Sequence, residues 1–144
     1  TVLHEVMHLA LGINAAAQQD WIVEGLAEFY SLQLLQRSGT ISKRRFENAL
    51  AKQREWAAKA DDLCRDASTG AVTARAVALF ADLDGEIRQA SELQASLDDV
   101  VRQLVAMQGP LDIEDLNTAV AATLGKKSEL LDTKNLDGCH SMAS

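Results

Sequence analysis

Apolar residues recur along this chain at spacings of three and four, the period of an amphipathic α-helix. The pattern is clear between residues 72 and 89, and its apolar positions there are Val72, Ala76, Leu79, Phe80, Leu83 and Ile87. No segment alternates apolar and polar residues with the period of two that is typical of a half-buried strand. The pattern therefore predicts an all-α fold, a compact bundle of about six helices.

Capping and breaking residues divide the pattern into helices. Ser96 and Asp112 are good N-cap residues, and Gly12, Gly109-Pro110 and Gly125 are expected to end helices. The third helix should turn one apolar face to the core, made of Phe46, Leu50, Trp56, Ala60 and Leu63. The predicted helices cover residues 2–13, 22–37, 42–63, 72–89, 96–108 and 112–124, with a short helical tail near 128–131.

Composition and charge limit the functions that fit this fold. The chain has 144 residues, 47% of them hydrophobic, with a net charge of −7. This acidic balance argues against a nucleic-acid partner, since such partners require a basic face. The basic run Lys43-Arg44-Arg45 is interpreted as a solvated helix face. No apolar stretch reaches the roughly 18 residues of a membrane span, so no membrane span is expected in this chain.

The two cysteines, Cys64 and Cys139, both lie in predicted loops. They form a disulfide or remain two thiols, and the cysteine count does not decide between these alternatives. Cys139 is followed directly by His140, but adjacent Cys and His lack the usual spacing of zinc ligands. No metal site is predicted there.

Residues 4–8, His-Glu-Val-Met-His, lie within the first predicted helix. His4 and His8 are four residues apart, so they project from the same side of a helix and both imidazoles can reach one tetrahedral zinc ion. Glu5 lies beside them, where it can take a proton from water at the metal. This motif predicts a zinc site with His4 and His8 as ligands and Glu5 as the general base.

A catalytic zinc ion needs a third protein ligand and keeps one position open for water. Fifteen residues separate His8 from Glu24, which lies near the start of the second predicted helix. A connection of that length can fold the second helix back beside the first. Gly25 and Ala27 are small, so we expect the two helix backbones to approach closely near the metal.

The His4-Glu5-x-x-His8 motif, followed by Trp21-x-x-Glu24-Gly25-x-Ala27-x-x-Tyr30, resembles the gluzincin metallopeptidases, in particular the peptidase MA-like and glycyl aminopeptidase groups. The resemblance implies that Glu24 is the third zinc ligand. It also implies that the fold is the helical lobe of a thermolysin-like catalytic domain. A weaker likeness continues through 78–88 and 96–100 and reaches about residue 124.

The resemblance further implies a zinc-dependent peptidase with one zinc ion and a peptide or protein substrate. The whole chain, 1–144, is then a single helical domain, in which 1–37 form the zinc-site helix pair and 38–144 the supporting helices. We expect the chain to be a fragment of a longer protein. In complete relatives a β-rich lobe precedes the motif helix and supplies a substrate-binding strand, so the isolated chain is expected to be weakly active or inactive.

One position departs from the family pattern. Relatives often place a tyrosine two residues before a Lys-Gly pair, where its hydroxyl stabilises the oxyanion. Here Thr73, Arg75 and Ala76 occupy those positions. Loss of one oxyanion donor costs about 2–4 kcal/mol of transition-state stabilisation. A zinc-binding pseudo-peptidase that binds peptides or proteins is therefore an alternative, and a helical interaction module with an accidental motif is another.

Four residues near the motifs have expected roles outside metal ligation. Glu28, one turn after Glu24, either supports a ligand histidine through a hydrogen bond or is an ordinary exposed helix glutamate. Tyr30 and Trp21 are expected to pack against the core, and Met7 to face the hydrophobic interior.

Overall fold

A computed structural model of the chain describes residues 2–12, 21–57, 70–107, 110–126 and 128–132. Within these ranges the structure contains helices and no strand, which confirms the all-α prediction. The six α-helices and one 3₁₀-helix are α1 (Val2–Leu11), α2 (Trp21–Arg37), α3 (Lys43–Ala57), α4 (Gly70–Ala90), α5 (Leu97–Ala106), α6 (Ile113–Leu124) and the 3₁₀-helix Glu129–Asp132.

Two helices end earlier than the sequence pattern predicts. α1 stops at Leu11 because Gly12 takes the left-handed conformation (φ +60°) that ends a helix. α5 stops at Ala106, before Gly109-Pro110 is reached. α3 begins at Lys43 as expected, and residues 58–63, the end of its predicted span, lie outside the described residues.

The helix caps of the second half of the chain confirm the sequence prediction. Ser96 caps α5, and its hydroxyl accepts a hydrogen bond from the amide of Asp98, while the Asp99 carboxylate accepts one from the amide of Ser96. Asp112 forms the same reciprocal arrangement at the start of α6 with Asp115. Each of these two arrangements is a capping box. It gives hydrogen-bond partners to amide groups that the start of a helix leaves unpaired, and it thereby fixes where the helix begins.

The core is built around α2 and α4, which pack against each other. α1 packs on α2, α3 packs on α4, and α5 and α6 pack on each other and also contact α4. Trp21 at the start of α2 is 1% exposed and stacks on Phe80 of α4, with ring centroids 6.1 Å apart. The central position of α2 explains why most of its side chains are buried.

α3 packs on α4 through a stripe that differs from the predicted one. Phe46 and Leu50 are half-buried as expected, together with Ala49 and Gln53. Trp56 is 48% exposed, so its placement in the apolar face was wrong. The helical period explains the error, because Trp56 lies roughly 80° around the helix from Phe46. Ala60 and Leu63 lie outside the described residues.

None of the helices in the described ranges combines the length and the apolar character that crossing a membrane requires.

Candidate metal site

The histidine motif lies on a continuous helix. α1 runs from Val2 to Leu11, so the backbone at His4, Glu5 and His8 is helical and the two histidines are one turn apart. The side chains of these three residues lie outside what the structure describes. The backbone therefore provides the spacing that the motif requires.

The burial of α1 indicates which of its sides faces the protein. Leu11 is buried and Met7 is half-buried against the core, whereas Val6, Leu9 and Ala10 are exposed. This confirms the expectation that Met7 faces the interior. Positions 4, 8 and 11 are related by steps of four and three, so they share one stripe of the helix. Leu11 is the buried residue of that stripe, and it belongs to the same hydrophobic cluster as the buried apolar residues of α2.

Glu24 lies in the first turn of α2, the helix against which α1 packs. Its neighbours Val23 and Gly25 are buried, whereas Glu24 itself is half-exposed. Glu28 and Leu32 follow at steps of four and are half-exposed as well. The two glutamates therefore lie on the one partly open stripe of the first three turns of α2, as the spacing predicts.

The small residues beside Glu24 have a different neighbour from the one expected. A Cβ atom on Gly25 would lie 2.5 Å from Ala76 Cβ and 2.8 Å from Phe80 Cε2, both on α4. Gly25 thus makes its close approach to α4 rather than to α1. Sequence spacing alone did not reveal this, because it does not show which neighbour each face of a surrounded helix contacts. Ala27 is fully buried.

Tyr30 packs in the core, as expected, but its hydroxyl has a partner that the sequence did not reveal. The ring lies edge-on to Phe29, with centroids 5.4 Å apart, and the hydroxyl donates a 2.6 Å hydrogen bond to Asp98 Oδ1 on α5. Arg37 of α2 approaches the same carboxylate at 3.4 Å. α2 is therefore joined to the start of α5 at two points.

This contact shifts the pKa of both partners. Burial raises the pKa of the Tyr30 hydroxyl far above its usual value, and the hydrogen bond to Asp98 adds to the rise. For Asp98, burial by itself raises the pKa, but the Tyr30 hydrogen bond and the Arg37 charge together outweigh it. The pKa of Asp98 is therefore held below its usual range.

The three residues that depart from the family pattern lie on α4. Thr73 and Arg75 are half-buried, and Ala76 is fully buried against the backbone of Gly25. Ala76 is thus the residue that forms the other side of the close α2–α4 contact. Cys64, Cys139 and His140 lie outside the described residues.

Among the side chains that the structure describes, no three His, Cys, Asp or Glu residues form a group that could hold a metal ion. Of the three predicted ligands, only Glu24 has a described side chain. Comparisons with protein-family models, curated proteins and solved structures found no match to this chain. The likeness to the gluzincins therefore rests on the sequence motifs.

Proposed function

We propose that this chain carries the metal-binding half of a zinc-dependent peptidase site. His4, His8 and Glu24 are the zinc ligands, and Glu5 is the general base. One observation supports the proposal above the others. The i, i+4 motif lies on an unbroken helix that packs against the helix whose first turn contains Glu24.

The donor set fits a catalytic zinc ion. Two imidazoles and one carboxylate are a ligand set of zinc hydrolases, and they leave a position open. Glu24 is suited to this role because it is only half-exposed, held in the first turn of a helix whose adjacent residues are buried. Its backbone is fixed by the contact of Gly25 with α4. A ligand on such a rigid element loses little conformational freedom when it binds a metal.

A zinc ion held at this site would act as a Lewis acid, which lowers the pKa of a water molecule and polarises a carbonyl group. Glu5 accepts the proton of the attacking water and transfers it to the amine that leaves, so that its carboxylate is regenerated. The ligands that would hold the zinc ion are His4 and His8, one turn apart on α1, and Glu24 on α2. Substrate-binding residues are expected on the part of the protein that precedes α1.

The test is hydrolysis of fluorescein-labelled casein by the full protein that carries this chain, with zinc content measured on the same samples. Glu5→Gln should reduce turnover by at least about 10²-fold and keep the metal. Glu47→Gln, the same change at an exposed position of α3, should leave both unchanged. Full activity in Glu5→Gln would contradict the mechanism.

A zinc-binding domain without efficient turnover is the second candidate. It is favoured by Thr73, a short side chain at the position where the resemblance implies an oxyanion-stabilising tyrosine. The same assay separates the two candidates, because this domain would hold zinc and yet fail to cleave casein even as the full wild-type protein.

A further inference from the structure

α3 differs from the rest of the chain in charge. It carries five Lys or Arg and two Glu, a formal charge of +3 in a chain of −7, so the other residues carry −10 between them. None of its described side chains is buried. An exposed basic helix on an acidic protein presents a localised positive surface.

Among the residues that the structure describes, four of the five cations of α3 form no ion pair within the fold, and Arg54 is the exception. Arg54 pairs with Asp82 of α4 at 2.7 Å. Lys43, Arg44 and Arg45 are exposed in the first turn, which contains no acidic residue. Positive charges at a helix N-terminus oppose the helix dipole and cost stability. The arrangement therefore does not serve the stability of the helix itself.

One flank of α3 combines these cations with an exposed aromatic ring. Arg45, Ala49, Lys52 and Trp56 are spaced by four, three and four residues, so they form one stripe about 16 Å long. Trp56 is 48% exposed at the end of this stripe. Tryptophan and arginine are enriched at the energetic centres of protein interfaces. We call this stripe the α3 flank.

We propose that the α3 flank is a docking surface for an acidic, leucine-containing segment of a partner protein. The carboxylates of such a segment match Arg45 and Lys52, and an apolar side chain packs on Trp56. This inference is independent of the zinc site.

The structure favours a protein segment over two other occupants. A membrane-surface helix inserts its apolar face into the lipid, but on α3 Leu50 packs against the protein core and Phe46 is half-buried. A symmetric pair of α3 flanks from two copies would bring two surfaces of net positive charge together, which is unfavourable. A flexible acidic segment needs only the exposed side chains of the α3 flank, which are Arg45, Lys52 and Trp56.

The test uses a glutamate-rich peptide with interspersed leucines, labelled with fluorescein, and a matched peptide in which every Glu is Lys. Binding to the protein is followed by anisotropy, and by tryptophan emission with the unlabelled peptides. Trp21 is buried and stacked on Phe80, so a change in emission reports Trp56. The Glu peptide should bind, shift the emission to the blue, and bind more weakly as salt is raised. The Lys peptide should not bind.

Two double variants with equal charge change complete the design. R45Q/K52Q should weaken binding about tenfold, and Trp56→Ala should weaken it at least as much. R102Q/K126Q, at exposed positions outside α3, should have less than a threefold effect. The proposal is overturned by absence of Glu-peptide binding, by equal binding of the Lys peptide, or by equal effects of the two double variants. A blue shift with phosphatidylserine vesicles but not with the Glu peptide would also overturn it, in favour of a lipid surface.

Discussion

A Cβ atom placed on Gly25 would lie 2.5 Å from the Cβ of Ala76, closer than two such atoms approach in folded proteins. This contact holds α2 against α4 directly beside Glu24, the predicted third ligand. The contact thus holds the backbone next to Glu24 from the side of α2 that faces α4. Gly25, which has no side chain, therefore links the packing of α4 to the candidate site.

We expect Gly25→Ala to destabilise the protein by about 1–3 kcal/mol, because the added methyl group overpacks the interface with Ala76 and Phe80. The control is Gly85→Ala on α4, where the added group meets nothing within 4 Å. There the same change should stabilise by about 0.4–1 kcal/mol, since alanine is the better helix former. Urea unfolding of both variants provides the measurement, and equal effects at the two positions would contradict this account of Gly25.

The Tyr30–Asp98 hydrogen bond predicts a pH-dependent effect. The folded-state pKa of Asp98 is depressed, so its stabilising contribution is present above the unfolded-state pKa of about 3.9 and is lost as the pH falls through the lower folded-state pKa. Tyr30→Phe removes a hydrogen bond to a charged acceptor and should cost about 1.5–3 kcal/mol at pH 7.

The cost of Tyr30→Phe should therefore shrink as the pH of urea unfolding falls below about 3.9 toward the lower folded-state pKa of Asp98, because protonation removes the charge that accepts the hydrogen bond. Asp98→Asn serves as the control, since an amide has no charge to lose, and the cost of Tyr30→Phe in that background should be independent of pH. An unchanged cost in the otherwise wild-type protein between pH 7 and a pH at which Asp98 is protonated in the folded state would show that the charge of Asp98 is not involved.

Sequence patterns predicted the features that depend on neighbouring residues along the chain. The caps at Ser96 and Asp112 are of this kind, since each box is closed within four residues. The partner of Tyr30 lies 68 residues away, and no local pattern indicates it. Trp56 was misplaced for a different reason, because the helical period already sets it roughly 80° around α3 from Phe46.

The features of the candidate site are likewise of two kinds, those set by nearby residues in the sequence and those set by tertiary contacts. The i, i+4 spacing of His4 and His8 and the shared stripe of Glu24 and Glu28 follow from the helical period alone, and the helices α1 and α2 provide both. The approach of Gly25 to α4 depends on a tertiary contact that spacing does not encode.

Glu28 allows a test of the site beyond its ligands. If its carboxylate orients a ligand histidine, Glu28→Gln should weaken zinc binding about 10–100-fold and still allow full occupancy at saturating metal. Glu24→Gln on the same stripe should prevent occupancy. Glu47→Gln on α3 is the control for removing an exposed carboxylate. Competition with a chromophoric chelator measures all three variants, and unchanged affinity in Glu28→Gln would leave it an ordinary helix glutamate.

The most direct test of the central claim is the zinc content of the purified protein after incubation with the metal and removal of the excess, measured by elemental analysis. We expect about one zinc per chain, loss of that zinc in His8→Ala, and its retention in His140→Ala, which removes the third histidine of the chain. Zinc near zero in the wild type, or equal zinc in the wild type and His8→Ala, would contradict the assignment of His4, His8 and Glu24 as a metal site.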